Sequence, residues 1–445
     1  MHQATFFEAL EARTLLSGNV TAALVGTNLV LTGDAEDNSV LVAQVAGTNS
    51  FTITSGDGTT TVNGGTDIVT VDNVTGGVRM KMLAGNDQVL LDTAVITGAV
   101  TADMGVGDDV LTMNAVTASP VTVTMGAGND TLTALTMTTT GLTKVNLGAG
   151  DDTATIGGTL ANTTVTGGAG LDTVSFNQVA VTGNVSVNNS SGGSNVAFAD
   201  STVTGKVLVR SSSGVDSASF TNTTVNGAVT VSAGSGDNTF TSTGSSLGIG
   251  DQPNGLPPAT VKISSTTGVD IISFDNTSMG ANVITSLGNG GSTVTFTNGS
   301  TVGGNLTMSA NKGVDTFNMA GLGVLGNTNI KTGADADVVT VDNSGLGGKT
   351  TVNTGAGTDT LQLAQLGPAG GSANNFVGVV SVNMGGQDDS LLTGVTPVNP
   401  ADLGNTNVFN SAVVLRGGRG VNTMTVATDT STFAIQPIVI NFTTA

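Results

Sequence analysis

Short runs in which every second residue is apolar recur along this chain, and the runs return at a nearly fixed interval. Aligned on a polar residue that follows a Gly-rich turn, the chain gives the column Asn38, Asp67, Asp87, Asp109, Asp130, Asp152, Asp172, Ser194, Asp216, Asn238, Asp270, Ser292, Asp315, Asp337, Asp359, Asp389 and Asn422, mostly 20 to 23 residues apart. Two residues after this anchor every position is apolar, from Val40 and Val69 to Leu391 and Met424. Four after it runs a second apolar column, broken only by Ser242 and Thr393, that holds Phe176, Phe198, Phe220, Phe274 and Phe296. Seven before it runs a third, with Val123, Val145, Val165, Val187, Val209, Val231, Ile263 and Met308 among its members. A spacing of two marks a strand with one buried face, so each repeat predicts two short strands separated by the Gly-rich turn. No helical period competes.

Strands this short cannot bury their apolar face alone, whereas stacking the next repeat turns each column into a continuous ladder. The expected fold is all-β: a single parallel β-solenoid of roughly 16 to 17 coils with about 22 residues per coil. At about 4.8 Å per coil the rod would be roughly 75 to 80 Å long. A polar column five or six residues past the anchor, including Asp92, Asn114, Asn177, Asn222, Asn276, Asn298 and Asn343, marks a second corner. Asn and Asp tolerate the left-handed backbone that such a corner needs. Longer steps coincide with Pro/Gly-rich stretches at 253–258, 367–371 and 397–400, which predict loops budding from the rod. The regular coils are then residues 67–426, preceded by capping strands and a first coil over 19–66. Residues 427–445, with the apolar run Phe433 to Phe442, supply a C-terminal capping strand or an assembly surface for end-to-end self-association.

Composition narrows the function. With 32 acidic against 12 basic residues the net charge is -20, which leaves little for nucleic acid or anionic lipid to bind. There is no Cys, no Trp and no Tyr, and the one histidine is His2. Thiolate chemistry is thereby excluded and aromatic stacking on sugars is left to Phe. No run of apolar residues is long enough for a transmembrane helix.

The Gly-rich turns carry the recurring chemistry. They read Gly105-Val106-Gly107-Asp108-Asp109, Gly126-Ala127-Gly128-Asn129-Asp130, Gly148-Ala149-Gly150-Asp151-Asp152 and Gly167-Gly168-Ala169-Gly170-Leu171-Asp172. These turns resemble the haemolysin-type (RTX) calcium-binding nonapeptide G-G-x-G-x-D-x-U-x, which Gly167 to Ser175 matches in full. Here the motif returns about every 22 residues rather than every nine, so a two-sided calcium roll is not implied. In-register carboxylates about 5 Å apart would repel by about 1 kcal/mol per pair in water and about 3 to 4 at an effective dielectric of 20. Two readings follow. Ca²⁺ relieves the repulsion at Asn86, Asp87, Asp108, Asp109, Asn129, Asp130, Asp151, Asp152 and Asp172, and around Asp335, Asp337 and Asp359. Alternatively, the carboxylates cap backbone N–H groups at solvated turns.

The first residues differ from all that follow. Leu10-Glu11-Ala12-Arg13-Thr14-Leu15-Leu16-Ser17 resembles the LEPR-XLL motif found near the amino terminus of secreted or surface repeat proteins of planctomycete bacteria, with Ala12 departing from it. The resemblance implies an extracellular or cell-surface location. Residues 1–18 also suit an amphipathic cap helix.

The expected function is a non-enzymatic structural or adhesion rod with a surface or matrix ligand. A polysaccharide lyase-like enzyme is the first alternative, with Lys206 and Arg210, or Arg79 and Lys81, as its nearest candidate groups. An ice-binding Thr array is the second. Its five outward pairs, such as Thr131/Thr133 and Thr239/Thr241, are separated by Ser175, Ser219, Ile271 and Leu392, and β-propensity accounts for them.

Overall fold

The computed structural model describes residues 18–250, 258–363, 374–393, 407–426 and 431–444. The amino-terminal motif and proposed cap helix lie outside the described residues, as do the loops at 367–371 and 397–400 and all but Pro258 of the loop at 253–258. Among the described residues there is no helix. The chain forms a parallel β-solenoid of about fifteen turns with ~22 residues per coil, roughly 70 Å long at about 4.8 Å per turn.

Each coil has three sides rather than the two expected. A representative coil runs through Val185–Asn188, the Gly-rich corner, Ser191–Ala199, a second corner, and Thr202–Val203. We call the strand after the anchor side A, the short strand side B, and the strand before the Gly-rich turn side C. Side B contributes one buried residue per coil, in the column Val203, Val225, Leu247, Met279, Val302, Val324 and Leu346. A single inward residue has no period of its own, which is why the alternation pattern did not reveal this side.

Both corners follow from local chemistry. Six residues after the anchor the backbone turns left-handed at Thr93, Ala115, Gln178, Asp200, Asn222, Asn276, Asn298 and Asn343, with φ between 46 and 53°. At the Gly-rich corner neighbouring coils come too close for a side chain. A Cβ on Gly126 (φ 124°) would lie 1.8 Å from the carbonyl oxygen of Gly105, and one on Gly128 (φ 138°) would lie 2.0 Å from that of Gly107.

Inside, like residues stack on like. The rings of Phe176, Phe198 and Phe220 lie 4.6 and 4.9 Å apart and nearly parallel, and Phe274 and Phe296 repeat the arrangement at 4.8 Å. Where Ser242 interrupts this column, Phe240 leans across from its own position to sit 5.8 Å from Phe220 and 5.3 Å from Phe274. The displaced hydroxyl of Ser242 pairs with Thr277 at 3.0 Å.

The ends differ from the middle. Asn19–Val25 pairs antiparallel with Asn28–Thr32, and Phe51–Ser55 pairs antiparallel with both Ser39–Gln44 and Val69–Val71. Asp67 therefore drops out of the anchor column: it is exposed on the returning hairpin, and Asn38 stacks directly on Asp87. The hairpin strand alternates like a coil strand, so the pattern counted one coil too many. At the other end Ile438–Ile440 lies on Val413–Arg416. Val439 sits over Leu415 but is 37% exposed, against 2% for Leu415, because no further described strand covers it.

Candidate functional site

The anchors form a buried row. Asp87, Asp109, Asp130, Asp152, Asp172, Asp315, Asp337, Asp359 and Asp389 are at most 2% exposed. Where the next anchor is Asp or Asn, a coil hands its anchor N–H to that residue's Oδ1: Asp87 donates to Asp109, Asp109 to Asp130 and Asp130 to Asp152, all at 2.8 Å. Further along, Asp315 donates to Asp337, Asp337 to Asp359 and Asp359 to Asp389, at 2.8 to 3.0 Å. The row begins at Asn38 and ends at Asn422, whose Oδ1 accepts from Asp389 N–H at 2.9 Å. The anchors do cap backbone N–H groups, but they do so in the interior and not at solvated turns.

The second oxygen is the unusual one. Oδ2 of Asp87, Asp109, Asp130, Asp152, Asp172, Asp216, Asp315, Asp337, Asp359 and Asp389 is buried without a hydrogen-bond partner. It faces the position five residues earlier, since a Cβ on Gly167 would lie 2.1 Å from Oδ2 of Asp172. In the preceding coils that position holds the fully buried Met82, Met104, Met125 and Leu147. Burial without a partner disfavours the ionised form. It pushes Asp87, Asp109, Asp172 and Asp337 up to about 6, and Asp130, Asp315 and Asp389 up to about 7. Neighbouring carboxylates add to the rise in Asp109, Asp130 and Asp315, while the backbone N–H bonds oppose it. Asp152, Asp216 and Asp270 are raised as well, with burial the leading cause.

The residue before each anchor points the other way and forms an exposed outer row. Asp37 Oδ1 accepts from Asn86 N–H, Asn86 from Asp108, Asp108 from Asn129, Asn129 from Asp151, and Asp151 from Leu171, all at 2.7 to 2.8 Å. Here acid and amide alternate, so successive charges are two coils, about 10 Å, apart. The predicted metal residues therefore separate into two sets. Asp87, Asp109, Asp130, Asp152, Asp172, Asp337 and Asp359 face inward, whereas Asn86, Asp108, Asn129 and Asp151 lie exposed in the outer row. Asp335 is also outside the buried row, and its carboxylate accepts from Gly313 N–H at 3.0 Å. Among the described residues no three acidic or imidazole side chains gather as a metal shell.

A third inward row, at the second corner, had no counterpart in the sequence reading. Ser201, Ser245, Ser300 and Ser344 are buried and accept from Val179, Thr223, Thr277 and Leu322 N–H on the neighbouring coil. A buried Ser amid turn residues looks like any other loop Ser, and only its recurrence seven or eight residues past the anchor could have exposed it.

Side A forms a long face. Its outward positions, one and three residues after the fifteen anchors Asp87 to Asn422, are Ser or Thr at 20 of 30 places and carry no charge at any. Stacking puts Thr131, Thr153 and Thr173 in one column and Thr133, Thr155 and Ser175 in the other. The five Thr pairs lie in these two columns, with Ser175, Ser219, Ile271 and Leu392 standing between them. A hollow of about 340 Å³ at the amino-terminal end of this side, lined by Ser39, Leu41, Ser55, Gln88 and Thr112 among others, holds no titratable side chain. Lys206, Arg210, Arg79 and Lys81 are exposed.

No protein family, no curated protein and no solved structure matches the chain.

Proposed function

We propose that the protein is a non-catalytic extracellular or cell-surface rod that spaces or adheres. The observation that supports this most is the unbroken register of side A, which offers an uncharged surface, two-thirds Ser and Thr, along the rod. Such a face suits an extended or repetitive ligand better than a small substrate, which needs a concave site with converging polar groups. The resemblance at Leu10 to Ser17 supports the location. Antibody labelling of intact source cells tests it: signal on unbroken cells is expected, and signal only after lysis would refute the surface role.

Calcium belongs in this reading to the outer row alone, at Asp108 and Asp151 with Asn129 between them and Asn86 before them. The buried row is left out of this reading because its carboxylates face the interior, where Met82, Met104, Met125 and Leu147 offer no further oxygen ligand.

A second reading draws on the same columns. Threonines repeating at about 4.8 Å between coils, with about 7 Å between the two columns on each strand, make a rigid lattice of methyl and hydroxyl groups that could order water into ice. Inhibition of ice recrystallisation that is lost in a Thr133→Glu, Thr155→Glu variant would favour it; no inhibition by the unaltered chain would dismiss it.

A further inference from the structure

The chain is strongly acidic, yet its basic residues are not scattered. The outward positions of side C lie eight and six residues before each anchor. Arg79, Lys144 and Lys262 occupy the first column, and Lys81, Arg210, Lys331 and Arg416 the second. These seven are exposed and account for more than half of the 12 Lys and Arg in the chain. The same thirty positions hold one acid, Asp103. After the pair at Arg79 and Lys81, basic groups follow at intervals of three, three, two, three and three coils, or about 10 to 14 Å. At physiological salt the Debye length is about 8 Å, so the acidic corners are substantially screened and each side C cation acts as a local positive site.

We propose that side C binds a linear, sparsely charged polyanion, an acidic polysaccharide of the uronate class, lying along the rod. The proposal rests on the rod reading above, because the ligand follows an unbroken face. Charge complementarity supplies the attraction, and the spacing selects the class. Duplex nucleic acid carries one charge per roughly 1.7 Å, far denser than this comb, and side C has no aromatic ring for a base to stack on. Between the cations, Asn146, Asn188, Asn353 and Asn383 present amides that can donate to and accept from sugar hydroxyls. Asn353 and Asn383 already pair across coils at 3.2 Å, which shows amides of this column meeting at hydrogen-bonding distance.

The test is binding of the purified chain to immobilised hyaluronate, a uronate polysaccharide with one carboxylate on every second sugar, in EDTA, at low and high NaCl, with single-stranded DNA as a parallel probe. EDTA removes calcium bridging, so this result is independent of any metal site. Salt-sensitive binding to the polysaccharide is expected. A Lys144→Glu, Arg210→Glu, Lys262→Glu variant should weaken it at least tenfold. A variant with the same charge change off this side, Lys206→Glu, Lys312→Glu, Lys349→Glu, should stay within about twofold. Circular dichroism confirms that both variants fold. No binding at low salt, equal loss in both variants, or tighter binding to DNA would each overturn the proposal. Small-angle scattering on the same sample separates the two readings: a chain that is not a rod overturns the rod itself, whereas a rod that does not bind overturns only its recognition of the polyanion.

Discussion

Two stretches of the buried row solve the same problem differently. From Asp87 to Asp172 five aspartates follow one another, and the positions facing the first four apolar-lined coils are Met82, Met104, Met125 and Leu147. From Ser194 to Asp315 the row reads Ser, Asp, Asn, Asp, Ser, Asp. There Ser194 Oγ bonds Asp216 Oδ1 at 2.9 Å and Ser211 Oγ at 2.7 Å, Asn238 Nδ2 donates to Asp270 Oδ1 at 3.0 Å, and Ser265 donates to Asp270. Both stretches supply an acceptor to backbone N–H groups. The first sheds its charge only as pH falls through about 6 to 7, by taking up protons, while the second replaces half its acids with neutral groups and gives part of the rest a hydroxyl or amide donor. The difference ties the stability of the first stretch to pH more strongly than that of the second.

The comparison can be broken most severely at the core that both stretches share. Phe198→Ala removes the middle ring of the three-ring stack and should cost about 3 to 5 kcal/mol in urea unfolding. At the row itself, Asp130→Ala leaves the buried N–H of Asp109 without an acceptor and should cost about 1 to 3 kcal/mol. Asp130→Asn keeps the acceptor, removes the ionisable group, and should be neutral or stabilising at pH 8.

The pH dependence has a definite sign. These aspartates hold protons more tightly when folded than the ordinary carboxylate at about 3.9, so their contribution is fully present below that value. It is lost as pH rises through about 6 to 7. Thermal midpoints should therefore fall by several degrees between pH 4.5 and pH 8. Replacing Asp109, Asp130 and Asp152 together by Asn should flatten this slope. Asn238→Asp, which joins Asp216 to Asp270 in an unbroken acidic run, should steepen it. A midpoint that rises with pH would refute the protonated row. The smallest effect is reserved for the outer row: millimolar CaCl₂ after EDTA should raise the midpoint slightly, MgCl₂ should not, and Asp108→Asn with Asp151→Asn should abolish the response.

Much of this was legible from the residues. The period, the parallel stacking, the Phe column and the left-handed second corner all follow from spacing and side-chain type. The orientation of the anchors was legible too, since the parity that buries Val174 and Phe176 buries Asp172 with them. The acidity of Asp argued for the surface, and the geometry sides with parity. Side B escaped because two residues per coil carry no alternation. The hairpin return through Asp67 imitated a coil because antiparallel and parallel strands alternate alike. The basic side C was hidden by an overall charge of -20, which averages over three sides that differ.

The ladder bonds run along the rod, so tension applied at its two ends loads every junction between coils in series, while the bonds within one junction share the force. The junction that joins Asp172 to Ser194 has nine registered pairs on side A, four on side C and two on side B. The junction that joins Asp389 to Asn422 has four, four and three. A rod anchored by one end and pulled by the other should therefore part first at its carboxyl end, where Thr423–Val426 shares two pairs with Thr443–Thr444 and Val413–Arg416 three with Ile438–Ile440, and hold longest where Asp172 meets Ser194. The molecule would yield as a graded tether that lengthens before it lets go.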